Sequence, residues 1–261
     1  MAGGKAQFDY SGSVVLVTGA GSGISKAVAI AFAEAGATVL AVDRNADTVA
    51  ALAETIRNGS GSAQPITADI SSSADVDKMV ADAIKQFGRI DCAFNGAGVG
   101  SPIGGTIVDY EDDHWDQVMN VNLRGMFLCM RAEIRQMQKQ GGGNIINVAS
   151  IGGERATPKA PAYIASKHGV IGLTRATAID HAAENIRVNA ICPGYIGGTA
   201  MMDSFIEKDP EARTALMNSS IPIGRLGQTN DVAETALWLC SGAASFVTGA
   251  TIFVDGGLSA K

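Results

Sequence analysis

The chain has 261 residues, of which 46% are hydrophobic and 18% charged, and its formal net charge is −6. That is ample material for a core. An acidic chain with no lysine- or arginine-rich run lacks the basic face of a nucleic-acid binder, and nothing in it favours an anionic membrane surface.

In chain order, residues 14–17 read as a short apolar strand, β-branched and too short for a helix. After a glycine-rich turn comes a helix over 24–35, closed by Gly36 where helices commonly end. A strand at 38–42, a helix at 46–57, a strand at 65–68 and a helix at 74–87 continue the alternation. The next strand, 90–95, precedes a long helical pattern over 113–140. Strand 143–149, helix 160–183 and strand 186–192 follow. Residues 194–220 are less regular, and helix 231–240 and strand 251–254 end the series. Continuously apolar strands separated by helices imply a parallel sheet covered on both faces. With right-handed crossovers the expectation is α/β: one doubly wound Rossmann-type domain over 1–261, with a seven-stranded parallel sheet and neither linker nor repeat.

Cys92, Cys129, Cys192 and Cys240 lie far apart in apolar segments, and His114, His168 and His181 show no ligand spacing. Buried inert thiols and no metal are therefore expected. The first residues lack the apolar centre of a signal peptide, and no stretch is long enough to span a membrane. A soluble, cytoplasmic protein is the corresponding expectation.

The turn between the first strand and helix reads Thr18-Gly19-Ala20-Gly21-Ser22-Gly23-Ile24-Ser25. Glycines there let the backbone approach a pyrophosphate, and the helix N-terminus offers free N–H groups with partial positive charge. Asp43 ends the second strand about 20 residues on, where a carboxylate accepts hydrogen bonds from the adenosine ribose. A 2′-phosphate beside it would meet repulsion of about 4 kcal/mol per charge pair at 4 Å. NAD is thus favoured over NADP, with exposed Arg44 as the dissenting neighbour.

Tyr163 and Lys167 stand four apart on one predicted helix, hence on one face. An ammonium about 4 Å from a phenol is worth roughly three pKa units, enough to bring it near 7 for proton transfer. Alone, such a pair reads as an ordinary surface contact. Ser150 ends the fifth strand at the carboxyl edge, where ligands bind in open sheets, and its hydroxyl can donate to a developing oxyanion. Asn122 falls in the long helix, where a solvent-facing amide is an equal alternative.

Together these residues resemble the short-chain dehydrogenase/reductase family over nearly the whole chain. The matching pieces are TGAGSGIS at 18–25, Asp69-Ile70, NGAG at 95–98, NVN at 120–122, Ser150, YIASK at 163–167, IRVNAICPG at 186–194 and VTGATIFVDGG at 247–257. The resemblance implies a catalytic tetrad of Asn122, Ser150, Tyr163 and Lys167, with Asn122 holding a water behind Lys167. It implies cofactor contacts from Gly19, Ser22, Gly23, Ile24, Asp43, Asp69, Ile70, Asn95, Gly96, Ala97, Tyr163, Lys167, Pro193, Gly194, Ile196 and Thr199. Asp69 and Ile70 would flank the adenine, Asn95 and its neighbours would line the floor, and Pro193, Gly194 and Ile196 would cup the nicotinamide. A homotetramer and the alcohol/ketone branch are likewise implied, the latter from the YxxxK spacing. Three positions depart from the family pattern: Ser25 replaces the third turn glycine, Gly96 the second asparagine of NNAG, and Gly198 the threonine, displaced to Thr199.

The expected function is NAD(H)-dependent interconversion of a secondary alcohol and a ketone, with Tyr163 as acid–base. Residues 195–220 are expected to cover the substrate, Met201, Met202, Phe205 and Ile206 favouring an apolar or cyclic one. An NADPH-dependent 3-oxoacyl-carrier-protein reductase is the alternative enzyme. A non-catalytic NAD(H)-sensing protein, motivated by Ser25 and Gly96, is the alternative of another class.

Overall fold

β1 (Val14–Thr18) is buried along its whole length, as a strand must be when helices cover both faces of its sheet. The computed structural model describes residues 7–100, 106–200, 202–203, 210–211 and 220–261. Within these, β1 is joined by β2 (Thr38–Asp43), β3 (Ser62–Thr67), β4 (Cys92–Asn95), β5 (Gly143–Val148), β6 (Ile186–Pro193) and β7 (Thr251–Val254). The order is β3-β2-β1-β4-β5-β6-β7, and every neighbouring pair is parallel. This is the seven-stranded Rossmann-type sheet that the alternation of elements implies.

The α-helices that frame the sheet are α1 (Gly23–Glu34), α2 (Ala46–Asn58), α3 (Ser73–Phe87), α4 (Asp112–Met119), α5 (Met126–Gln140), α6 (Pro161–His181) and α7 (Thr229–Cys240). Two cores result. Val15 and Val17 of β1 face α1, α2 and α7, whereas Val14 and Leu16 face α3, α5 and α6. That is the two-residue alternation of a strand read on a sheet buried from both sides. Chain direction away from β1 reverses between β2 and β4, so the crevice for a ligand opens at the carboxyl ends of β1 and β4.

The differences from the sequence expectation are local. The helix expected over 113–140 is interrupted by a π-helical turn, Asn120–Gly125, which joins α4 to α5. β3 starts at Ser62 and carries Pro65, a residue tolerated there because β3 is an edge strand. β4 starts later than expected because the Gln140 side chain takes both backbone groups of Ile90, donating to its carbonyl and accepting its N–H. α7 starts earlier, behind a reciprocal cap between Gln228 and Asp231. No helix among the described residues is long and apolar enough to cross a membrane. The four cysteines are free and buried.

Candidate active site

At the carboxyl end of β1 the chain turns through Gly19 and Gly23, with φ of +71° and +56°, a region side chains seldom enter. A Cβ on Gly19 would lie 2.7 Å from Ala97 Cα, so the turn rests directly on the backbone that follows β4. Ser22 precedes α1 without capping it, and no acidic residue occupies the first turn. The free N–H groups and positive end of α1 therefore remain available to an anion. Thr199 stands opposite, its methyl 3.5 Å from where a Gly23 Cβ would be. The Thr199 hydroxyl is itself held, donating to the Ile196 carbonyl at 3.0 Å.

Asp43 reaches this turn from β2. Its Oδ2 accepts the Gly21 N–H at 2.9 Å and its Oδ1 accepts the Asn45 N–H at 3.0 Å. A Cβ on Gly21 would come within 2.8 Å of the same Oδ2, so glycine is what admits the carboxylate. Farther along the edge, Asp69 is exposed and Ile70 is buried against Gly125 of the π turn. The Asp69 carboxyl lies below its ordinary range, held down by hydrogen bonds from the Ser71 hydroxyl and N–H, with a smaller pull from Arg44. A backbone-lined hollow, an uncapped helix end and a carboxylate at the second strand fit a pyrophosphate and a ribose in that order.

The two departures Ser25 and Gly96 explain each other. Ser25 is buried, and a Cβ on Gly96 would fall 2.2 Å from its Oγ. The hydroxyl added at one position takes the space that a side chain at the other would need. Gly198 is a separate case: its φ of +73° suits glycine, and nothing lies within 4 Å of its missing Cβ.

The four residues of the implied tetrad come together at the carboxyl edge. Ser150 follows β5, and its Oγ accepts the Gly152 N–H at 3.1 Å as the chain enters a short 3₁₀ turn. A Cβ on Gly152 would lie 3.4 Å from Tyr163 Cε1 and 3.5 Å from Ser150 Oγ, so both side chains border one small space. Lys167 is one turn beyond Tyr163 on α6, its Nζ 5.7 Å from the phenol ring centroid, and it donates to the Val148 carbonyl at 2.8 Å. Asn122 is buried in the π turn, where its Oδ1 accepts the Val99 N–H at 2.8 Å and its Nδ2 donates to the Val99 carbonyl at 2.9 Å. A Cβ on Gly98 would lie 3.2 Å from Asn122 Oδ1 and 3.8 Å from Lys167 Nζ, which puts amide and ammonium against one gap.

The electrostatics correct the simple picture of a phenol drawn toward 7 by its lysine. Both groups are buried, and burial disfavours the charged form of each. Tyr163 is pushed above its ordinary value by burial, with the Ser150 hydroxyl opposing. Burial lowers Lys167 to about 8, which leaves it protonated at neutral pH. Burial thus opposes the lowering that the neighbouring ammonium alone would give Tyr163.

Asn95 is turned inward, its amide donating to Glu133 Oε2 at 2.9 Å and Asn147 Oδ1 at 3.2 Å, so its side chain underlies the floor. Gly96 and Ala97 continue that floor, both donating their N–H groups to Thr18 Oγ1. Pro193 closes β6, the Gly194 N–H donates to the Val254 carbonyl, and Ile196 is buried against Gly227. Glu133 escaped the sequence reading and Thr18 was given no role in it, although each had a signal. Thr18 is a polar end to an apolar strand, and Glu133 occupies a core-facing position in line with Met126, Met130 and Met137. Of the residues expected to cover the substrate, Met201, Phe205 and Ile206 lie outside the described residues, and Met202 is partly buried. A cleft of about 190 Å³ near the Tyr163 helix is lined by Thr106, Ile107, Ala156, Ala160, Pro161 and Ile164, among others.

A family model described as Enoyl-(Acyl carrier protein) reductase matches residues 19–259. The short chain dehydrogenase/reductase astE of Aspergillus oryzae is 40% identical over 99% of both chains. The 3-oxoacyl-[acyl-carrier-protein] reductase FabG of Thermotoga maritima is 40% identical over 95% of this chain and 98% of its own. Among solved structures, an NAD+-bound xylitol dehydrogenase aligns with a TM-score of 0.90 and 33% identity, covering 95% of this chain and 99% of its own. The chain belongs to the short-chain dehydrogenase/reductase family, a family of nicotinamide-dependent oxidoreductases.

Proposed function

We propose that the protein interconverts a secondary alcohol and a ketone with NAD(H), Tyr163 acting as general acid and base. The observation that carries this reading is the convergence of Ser150, Tyr163, Lys167 and Asn122 on one edge of the sheet, beside the glycine turn. When bound, the nicotinamide supplies the hydride donor or acceptor and, oxidised, a positive charge beside the phenol. Gly19, Ser22, Gly23 and Ile24 would hold the pyrophosphate, and Lys167 the nicotinamide ribose. Ser150 donates to the substrate oxygen as charge develops there. Tyr163 Oη gives that oxygen its proton in reduction and takes it in oxidation, and Asn122 keeps the Gly98–Val99 backbone and a relay water in place behind Lys167. An apolar or cyclic substrate suits the apolar Ile107, Pro161 and Ile164 of the cleft beside the N-terminal turn of α6.

Cofactor choice rests on Asp43. The likeness to an NAD+-bound structure supports NAD, while the likeness to a carrier-protein reductase keeps the second enzyme reading in play. Fluorescence titration is expected to give NADH a dissociation constant at least about tenfold below that of NADPH, with Asp43→Ala narrowing the gap. Tighter NADPH binding would move the carrier-protein reading ahead. Absence of binding by either cofactor defeats both enzyme readings.

A homotetramer is also proposed. The outer faces of α5 and α6, with the end of α4 and the π turn, border a shallow apolar depression of about 650 Å³ lined by Met119, Leu123, Phe127 and Leu173, and Phe127 is exposed. Sedimentation should report four chains per particle, and Phe127→Glu should shift the protein to smaller species. A wild-type monomer refutes the assembly.

A further inference from the structure

Glu133 is completely buried on α5, and the partner it finds is an amide. Asn95 Nδ2 donates to its Oε2 at 2.9 Å. The remaining atoms of the two groups, Glu133 Oε1 and Asn95 Oδ1, are both buried and both lack a hydrogen-bond partner. An ionised carboxylate oxygen and an amide oxygen only accept, so neither can satisfy the other. A proton on Oε1 changes this, because the acid then donates the hydrogen bond that Asn95 Oδ1 lacks. One proton shared into this hydrogen-bonded pair would satisfy both leftover acceptors as an acid–amide ring.

The surroundings agree. Asn95 faces Glu133 from β4, and Asn147 extends the network from β5 to the Thr174 hydroxyl on α6 at 2.9 Å. On its own helix the titratable neighbour is Cys129, whose thiol is pushed well up by burial first and by Glu133 second, and so stays neutral. Burial raises Glu133 itself from 4.5 to about 7, against a lowering by the Asn95 hydrogen bond. Asn95 leads directly into the Gly96 and Ala97 backbone, which is tied to Thr18 and supports Gly19.

We propose that Glu133 is a positioning residue: it carries a proton in the folded protein, closes a two-bond ring with the Asn95 amide, and thereby holds the end of β4 under the glycine turn. Loss of that proton loosens the dinucleotide site. The ring stands on its own geometry, whereas the loosening rests on the cofactor site proposed above. The linkage has a definite sign. With its folded pKa raised, the stability Glu133 contributes is complete below about pH 4.5, is lost as pH rises to about 7, and does not change further above that.

Glu133→Gln tests this, because its amide can make both bonds of the ring and cannot ionise. Infrared spectra of the cofactor-free wild type should keep a protonated-carboxyl band at about pH 6, when ordinary carboxylates are ionised, and lose it by about pH 8; the variant should lack it. Relative to the variant, the wild-type unfolding constant should rise on the order of a hundredfold between about pH 4.5 and 7.5. From about pH 6 to 8 wild-type NADH affinity should fall severalfold more than that of Glu133→Gln, in which Lys167 still titrates. No carboxyl band at pH 6, a measurement on the wild type that holds even if the variant does not fold, overturns the proposal. Parallel NADH profiles despite the band reduce Glu133 to a structural acid and overturn its positioning role. Absence of NADH binding at every pH, with the band and the unfolding shift present, removes the cofactor reading and leaves the ring.

Discussion

Tyr163→Phe should lower turnover by about 10²–10⁴-fold, the usual worth of a positioned acid–base, while NADH affinity stays within a few-fold of wild type. The substitution removes one oxygen. The ring still fills its place against Gly152 and one turn from Lys167, so the glycine turn and Asp43 are untouched. Kinetics followed by NADH absorbance, together with fluorescence titration, separate the two effects. Turnover retained in the variant rejects Tyr163 as the proton carrier; lost NADH affinity assigns the tyrosine a binding role instead. Because burial holds the phenol above its ordinary value, wild-type alcohol oxidation should quicken as pH rises from neutrality, and the residual rate of the variant should not.

Gly96→Asn, which restores the family's usual residue, should damage this chain. The new side chain would collide with the Ser25 hydroxyl and press on the Phe94 ring, whose Cε1 lies 2.8 Å from the Cβ position. Overpacking in a buried site costs about 1–3 kcal/mol, a fall in Tm of a few degrees for each kcal/mol in a chain of this size. NADH binding should weaken too, because the same backbone supports Gly19. Adding Ser25→Gly should return most of both losses. A double-mutant cycle reads the coupling, and strictly additive losses would mean that the two positions act independently.

The sheet was legible in the sequence because each strand is short, apolar and set between helical periods. Its boundaries moved where a side chain intervened, as Gln140 does at Ile90, or where a proline fell on an edge strand. The tetrad was legible through residue spacing plus family resemblance, not through spacing alone. Asn122 shows why: the helical pattern around it is continuous, and only the π turn buries its amide against Val99. The Tyr163–Lys167 pair was found, but its electrostatics were not, since a four-residue spacing carries no information about burial. The link between Ser25 and Gly96 was hidden because they are 71 positions apart and meet only across the β1–β4 crevice.

The π turn also sets a mechanical phase. Each residue of a regular helix advances the chain by about 100°, so the wider turn at Asn120–Gly125 rotates α5 relative to α4 by an amount that a regular helix would not give. The buried face of α5, from Met126 to Met137, meets the sheet because the π pitch of Asn120–Gly125 absorbs the additional residue. Winding the same six residues as a regular α-helix would turn Glu133 and its methionine neighbours about 100° off the core together. The same turn therefore couples the aim of the Asn122 amide to the seating of a whole helix, so the segment tolerates substitution on its outer face far better than a change of pitch.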